Sequence, residues 1–264
     1  MRPHPITAVD LVVRDLDRSL AFYTEHLGLP PATVSDGTVS DGTASETDSR
    51  TAVLDAGPAV LRLREDRDAA DSGWVPDDLQ KGFRHIGFTV SDIDARAARL
   101  HEHGVQFRLE PKDAYGGVRI AFFFDPDGVL LEFVQGHLTH DRVQDQGLVD
   151  ASRAAPPPVT PTFDHVAMTV SDLDTTVRNY ADSLGFGAAG QLIRDDDPRG
   201  FVITYLHAGR TVLEVFTYTE PKLDSPWRAE PPTVGFRDVS FTTTSEGSLV
   251  LDPDGFPLRV EAAR

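Results

Sequence analysis

Apolar residues fall along this chain in two rhythms, one of two residues and one of about 3.6, and the switch between them repeats. Four stretches align: Ala8-Val-Asp-Leu-Val-Val-Arg-Asp15-Leu-Asp17, His85-Ile-Gly-Phe-Thr-Val-Ser-Asp92-Ile-Asp94, His165-Val-Ala-Met-Thr-Val-Ser-Asp172-Leu-Asp174 and the shorter Asp238-Val-Ser-Phe-Thr-Thr-Thr. The first part of each is rich in Val, Thr and Phe and predicts a strand. Asp15, Asp92 and Asp172 then predict helix N-caps, because a short carboxylate can accept the free amide protons of a first helical turn. Beyond the caps apolar residues return at helical spacing. They are Leu16, Leu20, Tyr23 and Leu27 in the first copy, Ile93, Ala97 and Leu100 in the second, and Leu173, Val177, Tyr180 and Leu184 in the third. Gly28, Gly104 and Gly185 end these helices.

The ends of the units repeat as well. Asp125-Pro-Asp-Gly128 recurs as Asp252-Pro-Asp-Gly255, a strong turn signal. The first turn is flanked by the apolar stretches Ile120–Phe124 and Val129–Val134, while copies one and three close on Val60-Leu61-Arg62-Leu63 and Val212-Leu213-Glu214-Val215. Each full unit therefore reads as strand, helix and about three strands. The fourth has only a Ser-Glu-Gly link where a helix would stand and reads as truncated. The expected fold class is α+β, with four βαβββ modules, the last shortened. Residues 1–136 form a first half of two modules and 162–264 a second half of two. The polar, Pro156-Pro-Pro158-containing stretch 137–161 reads as a linker between them, and the Ser/Thr/Asp/Gly-rich stretch 35–50 as a mobile loop.

Composition narrows the function classes. With 264 residues and 40% hydrophobic content the chain can bury a substantial core, but its formal net charge is −17. That charge opposes nucleic-acid binding, which needs a basic face, and docking on an anionic membrane. There is no cysteine, so a metal must be held by His, Asp or Glu. The start MRPHPITAVD lacks a basic-then-apolar leader pattern, and no apolar run is long enough to span a bilayer, so the expected location is cytoplasmic.

Two pairs of residues carry the candidate chemistry. His85 and His165 stand at one repeat register, each seven residues before its capping Asp. A lone histidine near the start of a strand is more often structural, and repetition can be inherited without function. Glu132 and Glu214 each interrupt an apolar strand. Their alternate neighbours are Leu130 and Val134 in one case, Val212 and Phe216 in the other, so each carboxylate falls on an apolar face. Such a carboxylate is costly to bury unless it is paired or metal-bound. The spacings also agree: 47 residues (132 − 85) and 49 residues (214 − 165).

These features resemble the vicinal oxygen chelate superfamily, which includes glyoxalase I, methylmalonyl-CoA epimerase, extradiol dioxygenases, and fosfomycin- and bleomycin-resistance proteins. The segments Asp15-Leu-Asp-Arg-Ser-Leu-Ala-Phe-Tyr-Thr-Glu-His-Leu-Gly28 and Tyr115-Gly-Gly-Val-Arg-Ile-Ala-Phe-Phe-Phe-Asp-Pro-Asp-Gly-Val-Leu-Leu-Glu132-Phe carry the resemblance most clearly. It implies cupped sheets built from paired modules, each cup able to hold a metal by one first-strand and one last-strand ligand from each module. Mapped onto this chain, those positions are Ala8 and Arg62, His85 and Glu132, His165 and Glu214, and Asp238 and Arg259. If modules one and two share a cup, both cups are broken. If two pairs with three, one cup is complete and all the losses, with the truncation, fall on the other. The second pairing is therefore expected.

The resemblance further implies one divalent metal (Zn, Ni, Co, Mn or Fe) at His85, Glu132, His165 and Glu214, with Glu132 and Glu214 as candidate catalytic bases. The implied reaction is proton transfer next to a carbonyl through a metal-held enediolate, on a small-molecule substrate, in a monomer or homodimer. Glu132 is favoured as base, because its module matches the family pattern best and adjoins the Tyr115-Gly-Gly117 loop. Two alternatives stand beside it: an extradiol-type Fe(II) dioxygenase, and a metal-free protein that binds a small molecule or antibiotic.

Overall fold

The computed structural model describes residues 3–40, 46–227, 232–243 and 248–262. Module one comprises β1 (Ile6–Val13), α1 (Leu16–Ala21), β2 (Thr33–Ser40), β3 (Glu46–Asp55) and β4 (Val60–Glu65), with a wide π-helical turn, Phe22–His26, extending α1. Module two comprises β5 (Gly82–Thr89), α2 (Ile93–Glu102), β6 (Phe107–Asp113), β7 (Arg119–Phe124) and β8 (Leu130–Gln135). A two-residue strand, β9 (Arg142–Val143), and α3 (Gln146–Arg153) follow. Module three comprises β10 (Thr162–Thr169), α4 (Leu173–Leu184), β11 (Gly187–Arg194), β12 (Phe201–Ala208) and β13 (Thr211–Thr217). Module four is β14 (Gly235–Thr243), β15 (Ser248–Leu251) and β16 (Pro257–Ala262), with no helix among its described residues. The Ser-Glu-Gly link lies outside those residues.

The predicted caps form. Asp15 accepts from the Arg18 amide, Asp92 from Ala95 and Asp172 from Thr175, at 2.9, 3.0 and 2.8 Å. Gly185 ends α4 with φ of +68°, a left-handed conformation that other residues avoid. The inward faces carry the predicted apolar residues, with Leu16, Tyr23, Leu27, Ile93, Leu100 and Tyr180 fully buried in one core that reaches both sheets.

The modules pair two with three and one with four. A nine-stranded sheet runs β6-β7-β8-β5-β10-β13-β12-β11-β9, and a seven-stranded sheet runs β15-β16-β14-β1-β4-β3-β2. At each centre the first strands of two modules lie antiparallel, β5 with β10 and β1 with β14. Each module's last strand runs parallel to its first. Tyrosines tie the modules in the other direction, one with two and three with four. Tyr23 of module one donates to Asp125 in the turn of module two at 2.9 Å, and Tyr180 of module three donates to Asp252 of module four at 3.4 Å.

Two stretches depart from expectation. Residues 35–40 and 46–50, read as loop, belong to β2 and β3, which pair from Thr33↔Val53 to Ser40↔Glu46; residues 41–45 lie outside the described residues. Their Ser- and Thr-rich composition hides a two-strand ribbon at the sheet edge, where β-branched residues suffice and no continuous apolar face is needed. The stretch 137–161, read as linker, contains β9, which pairs with β11, and α3, capped by Asp145 through the Leu148 amide. One buried residue, Val149, anchors α3. So short an apolar signal is masked by the polar composition around it.

Candidate metal centre

His85 and Glu132 project from adjacent strands of module two, and His165 and Glu214 from those of module three. The registers explain why they meet. In the central pair His165 lies opposite Gly87 and Ala167 opposite His85. In the flanking pairs Gly87 lies beside Glu132 and Ala167 beside Glu214. A small residue two places after each histidine thus sits at the centre of the face and leaves room for both imidazoles.

The four side chains converge, with one candidate ligand atom from each lying within 4.8 Å of the others. The Nε2 atoms of His85 and His165 are 3.0 Å apart. An Oε2 of Glu132 stands 3.0 Å from His85 Nε2 and 3.1 Å from His165 Nε2. The Glu214 carboxylate is further away, at 3.7 and 3.5 Å. His85, Glu132 and His165 are buried, and Glu214 is slightly more open. Two imidazoles and two carboxylates facing one point, with nitrogen and oxygen donors only, suit a divalent ion.

The surroundings polarise the cluster. Burial pushes the Glu132 carboxyl up, but hydrogen bonds from His165 and His85 more than offset this and hold it down at about 2. Burial pushes Glu214 up to about 7; the His165 charge opposes this and the Glu132 charge adds to it. Burial lowers the His165 imidazole, yet the neighbouring Glu214, Asp164 and Glu132 outweigh it and raise the group well above its ordinary value. Asp164 accepts from His165 Nδ1 at 2.8 Å and from the Thr89 hydroxyl at 2.9 Å, which fixes the ring with Nε2 toward the cluster. Tyr205 lies opposite Glu214 in the β12–β13 register, and its hydroxyl favours the charged form of that carboxylate.

The cluster forms part of the wall of a cavity of about 760 Å³. Phe122, Phe201, Ile203 and Phe216 supply apolar wall, and Tyr115 stands at the border as its loop suggested. Residues of the 137–158 stretch, among them Leu138, His140 and Pro156, close one side. Asp141 fastens this stretch: it accepts from Tyr115 at 2.9 Å and from the Ile193 amide at 2.7 Å.

Comparison with known proteins agrees with this architecture. The sequence profile described as Glyoxalase/Bleomycin resistance protein/Dioxygenase superfamily matches residues 5–133. A Vibrio cholerae protein named "Probable lactoylglutathione lyase" is 31% identical over 147 residues, which is 53% of this chain and 96% of that protein. The chain belongs to this superfamily. Another superfamily relative, the lactoylglutathione lyase of Schizosaccharomyces pombe, is 25% identical over 211 residues, covering 74% of this chain and 63% of the relative. Glyoxalase I from Zea mays superposes with a TM-score of 0.68 at 20% identity, covering 97% of this chain and 92% of that one, a likeness of fold.

The superfamily's second cup, built here from modules one and four, is occupied by its own charges. Arg62 grips Glu261 through two bonds of 2.7 and 2.8 Å and reaches Asp10 at 3.5 Å, and Arg259 pairs with Asp238 at 3.2 Å. Asp10, raised to about 7 by burial first and then by Asp238, lies opposite Asp238 where Gly87 lies opposite His165. Asp238 thus serves as a structural partner of Arg259 where the other cup has a candidate ligand histidine.

Sequence reasoning missed Asp164, Tyr205 and Gly87. The matched small residues at 87 and 167, each two places after a repeat histidine, were a readable signal. Tyr205 had none, because its partner Glu214 becomes a neighbour only through the β12–β13 register.

Proposed function

We propose that this chain is a divalent-metal-dependent enzyme of the glyoxalase type, which moves a proton on the carbon next to a carbonyl of a small molecule. The observation that carries this reading is the convergence of two imidazoles and two carboxylates within 4.8 Å in the wall of a 760 Å³ cavity. The names of the relatives support it: several are called lactoylglutathione lyase.

His85, Glu132, His165 and Glu214 would hold the ion. When bound, it would act as a Lewis acid on substrate oxygens and so acidify the neighbouring C–H. The proton is then taken by one of the two glutamates. Glu132 is held between both histidines, whereas Glu214 stands further off, opposite Tyr205 on the neighbouring strand. Glu214 therefore has more freedom to swing toward a substrate, and Tyr205 would steady it in either protonation state. Glu132 keeps the histidines aligned and remains the second candidate base. The apolar wall of Phe122 and Phe216 excludes water from the exchanging proton.

Incubation of the metal-loaded protein in deuterium oxide with hemithioacetals and 2-substituted acyl thioesters tests the reading. Exchange of the α-proton is expected with at least one of them, and it should be lost in Glu214→Gln. No exchange across the series removes the isomerase reading.

A second reading rests on a separate feature. His85, His165 and Glu132 form the tighter group, with nitrogen and oxygen atoms 3.0–3.1 Å apart, and two histidines with one carboxylate are the ligand set of Fe(II) oxygenases. Oxygen consumption with catechols by the Fe(II)-loaded protein would favour that reading.

A further inference from the structure

We infer that Arg84 forms an anion-binding subsite in the cavity wall, placed to hold a carboxylate carried by the substrate; this builds on the proposed enzyme reading.

The placement follows from strand register. Along β5 and β10 the pairing slips by one residue just before each ligand histidine. Phe163↔Phe88 is followed by His165↔Gly87, and Ala167↔His85 by Met168↔Phe83. Asp164 and Arg84 are the extra residues, and such bulges re-aim a side chain. Asp164 is turned onto His165 Nδ1, and both it and Arg84 line the cavity. The two modules therefore present opposite charges from equivalent positions.

Arg84 makes no direct ion pair among the described residues. It is 2% exposed, and no described carboxylate lies within 4 Å of it. Its guanidinium reaches only neutral acceptors, the Gln80 carbonyl at 3.3 Å, the Gln80 side chain at 3.4 Å and the Val75 carbonyl at 3.2 Å, and it lies 4.6 Å from the Trp74 ring centre. A guanidinium in a protein is not deprotonated at neutral pH, so the group carries its charge even when buried. Asp78, whose charge acts on it, is bonded to Arg108 at 3.4 Å. Asp77 acts on it as well, so the nearby charges balance at a distance, but no described carboxylate makes an ion pair with the guanidinium itself.

A second observation falls at the same place. Among the described residues five buried polar side-chain atoms lack a partner: Arg84 Nε, in the cavity wall, is one, and Trp74 Nε1 and the Tyr218 hydroxyl, which stand behind that wall rather than in it, are two more. Tyr218 is near enough for the Arg84 charge to act on its hydroxyl. A buried, unneutralised guanidinium is costly in a folded protein and is offset when a ligand supplies the missing charge. The planar guanidinium fork, with its Nε unpartnered, matches the two oxygens of a carboxylate. The cavity has room for such a group beyond a two-oxygen head.

The test uses the full-length chain stripped of metal with EDTA, so that no bound ion can take up the anion. Binding of 3-phenylpropionate is compared by calorimetry with binding of 3-phenylpropanamide, the neutral analogue of the same shape. At pH 7 the acid should bind about tenfold or more tighter than the amide, the expected advantage of charge-assisted hydrogen bonds. The advantage should vanish in Arg84→Met and persist in part in Arg84→Lys. Equal or absent binding of the two probes to the unaltered chain overturns the proposal, as does an acid preference that survives in Arg84→Met. Because metal is absent, this result is independent of the deuterium-exchange outcome that tests the enzyme reading.

Discussion

Gly87 lies directly opposite His165 in the central strand pair, and a β-carbon on Gly87 would stand 2.0 Å from Cε1 of the imidazole. No rotamer adjustment of Gly87 itself can relieve this, so the histidine ring or the strand must move. Gly87→Ala should therefore retain the fold at a stability cost of about 1–3 kcal/mol, the usual range for overpacking. It should also lower metal affinity at least tenfold. Thermal melts and metal titration of the variant check both effects. Unchanged metal affinity would show that the position of His165 is not what the site depends on.

Asp164 orients His165 from the far side of the ring. Replacing it with Asn keeps the size but removes the charge that holds Nδ1 protonated and Nε2 turned inward. Outer-shell partners of this kind contribute about 10–100-fold to metal affinity. Asp164→Asn should fall in that range by competition with a fluorescent chelator, whereas Asp172→Ala, which removes a helix cap on another element, should leave metal affinity near that of the unaltered chain.

Metal uptake should depend on pH with a definite sign. In the metal-free cluster Glu214 is raised to about 7 by burial, and His165 is raised by its carboxylate neighbours despite burial, so at pH 6 both bind protons that a metal must displace. Affinity should rise with pH through 7, by about tenfold per unit for each proton released. Calorimetry in two buffers of different ionisation enthalpy measures that release directly. For the metal-free fold the signs differ. The stability that His165 contributes is present below pH 6.5 and lost as pH rises through its folded value. That of Glu132, lowered from 4.5 to about 2, is present above 4.5 and lost as pH falls toward 2.

The tyrosine ties between modules should differ in strength. Tyr23 meets Asp125 at 2.9 Å and Tyr180 meets Asp252 at 3.4 Å. Tyr23→Phe should lower stability by about 1–2 kcal/mol, as expected for a buried hydroxyl bonded to a carboxylate, and Tyr180→Phe by less. Urea denaturation of the two variants ranks them.

Much of this organisation was legible in the chain, for identifiable reasons. The aspartate caps, the helical apolar spacing and the Asp-Pro-Asp-Gly turns act over a few residues, so sequence shows them directly. The pairing of modules was legible because damage is written into it: Arg62 and Arg259 stand where ligands would, and both lie in one sheet. What stayed hidden depends on register. Arg84 and Asp164 reach the cavity only because β5 and β10 slip against each other, and the 137–158 wall is recognisable only once Asp141 is seen to bind Tyr115 and the Ile193 amide. Polar composition concealed both that wall and the β2–β3 ribbon, since neither needs a long apolar run.

The central claim is that one divalent ion is held between modules two and three by His85, Glu132, His165 and Glu214, and elemental analysis of the purified chain tests it most directly. The account predicts one metal per chain, not two, because Arg62 and Arg259 fill the other cup with charge pairs. It predicts near-zero metal in the double variant His85→Ala, His165→Ala, with the fold retained by circular dichroism. A double variant that carries as much metal as the unaltered chain would contradict it.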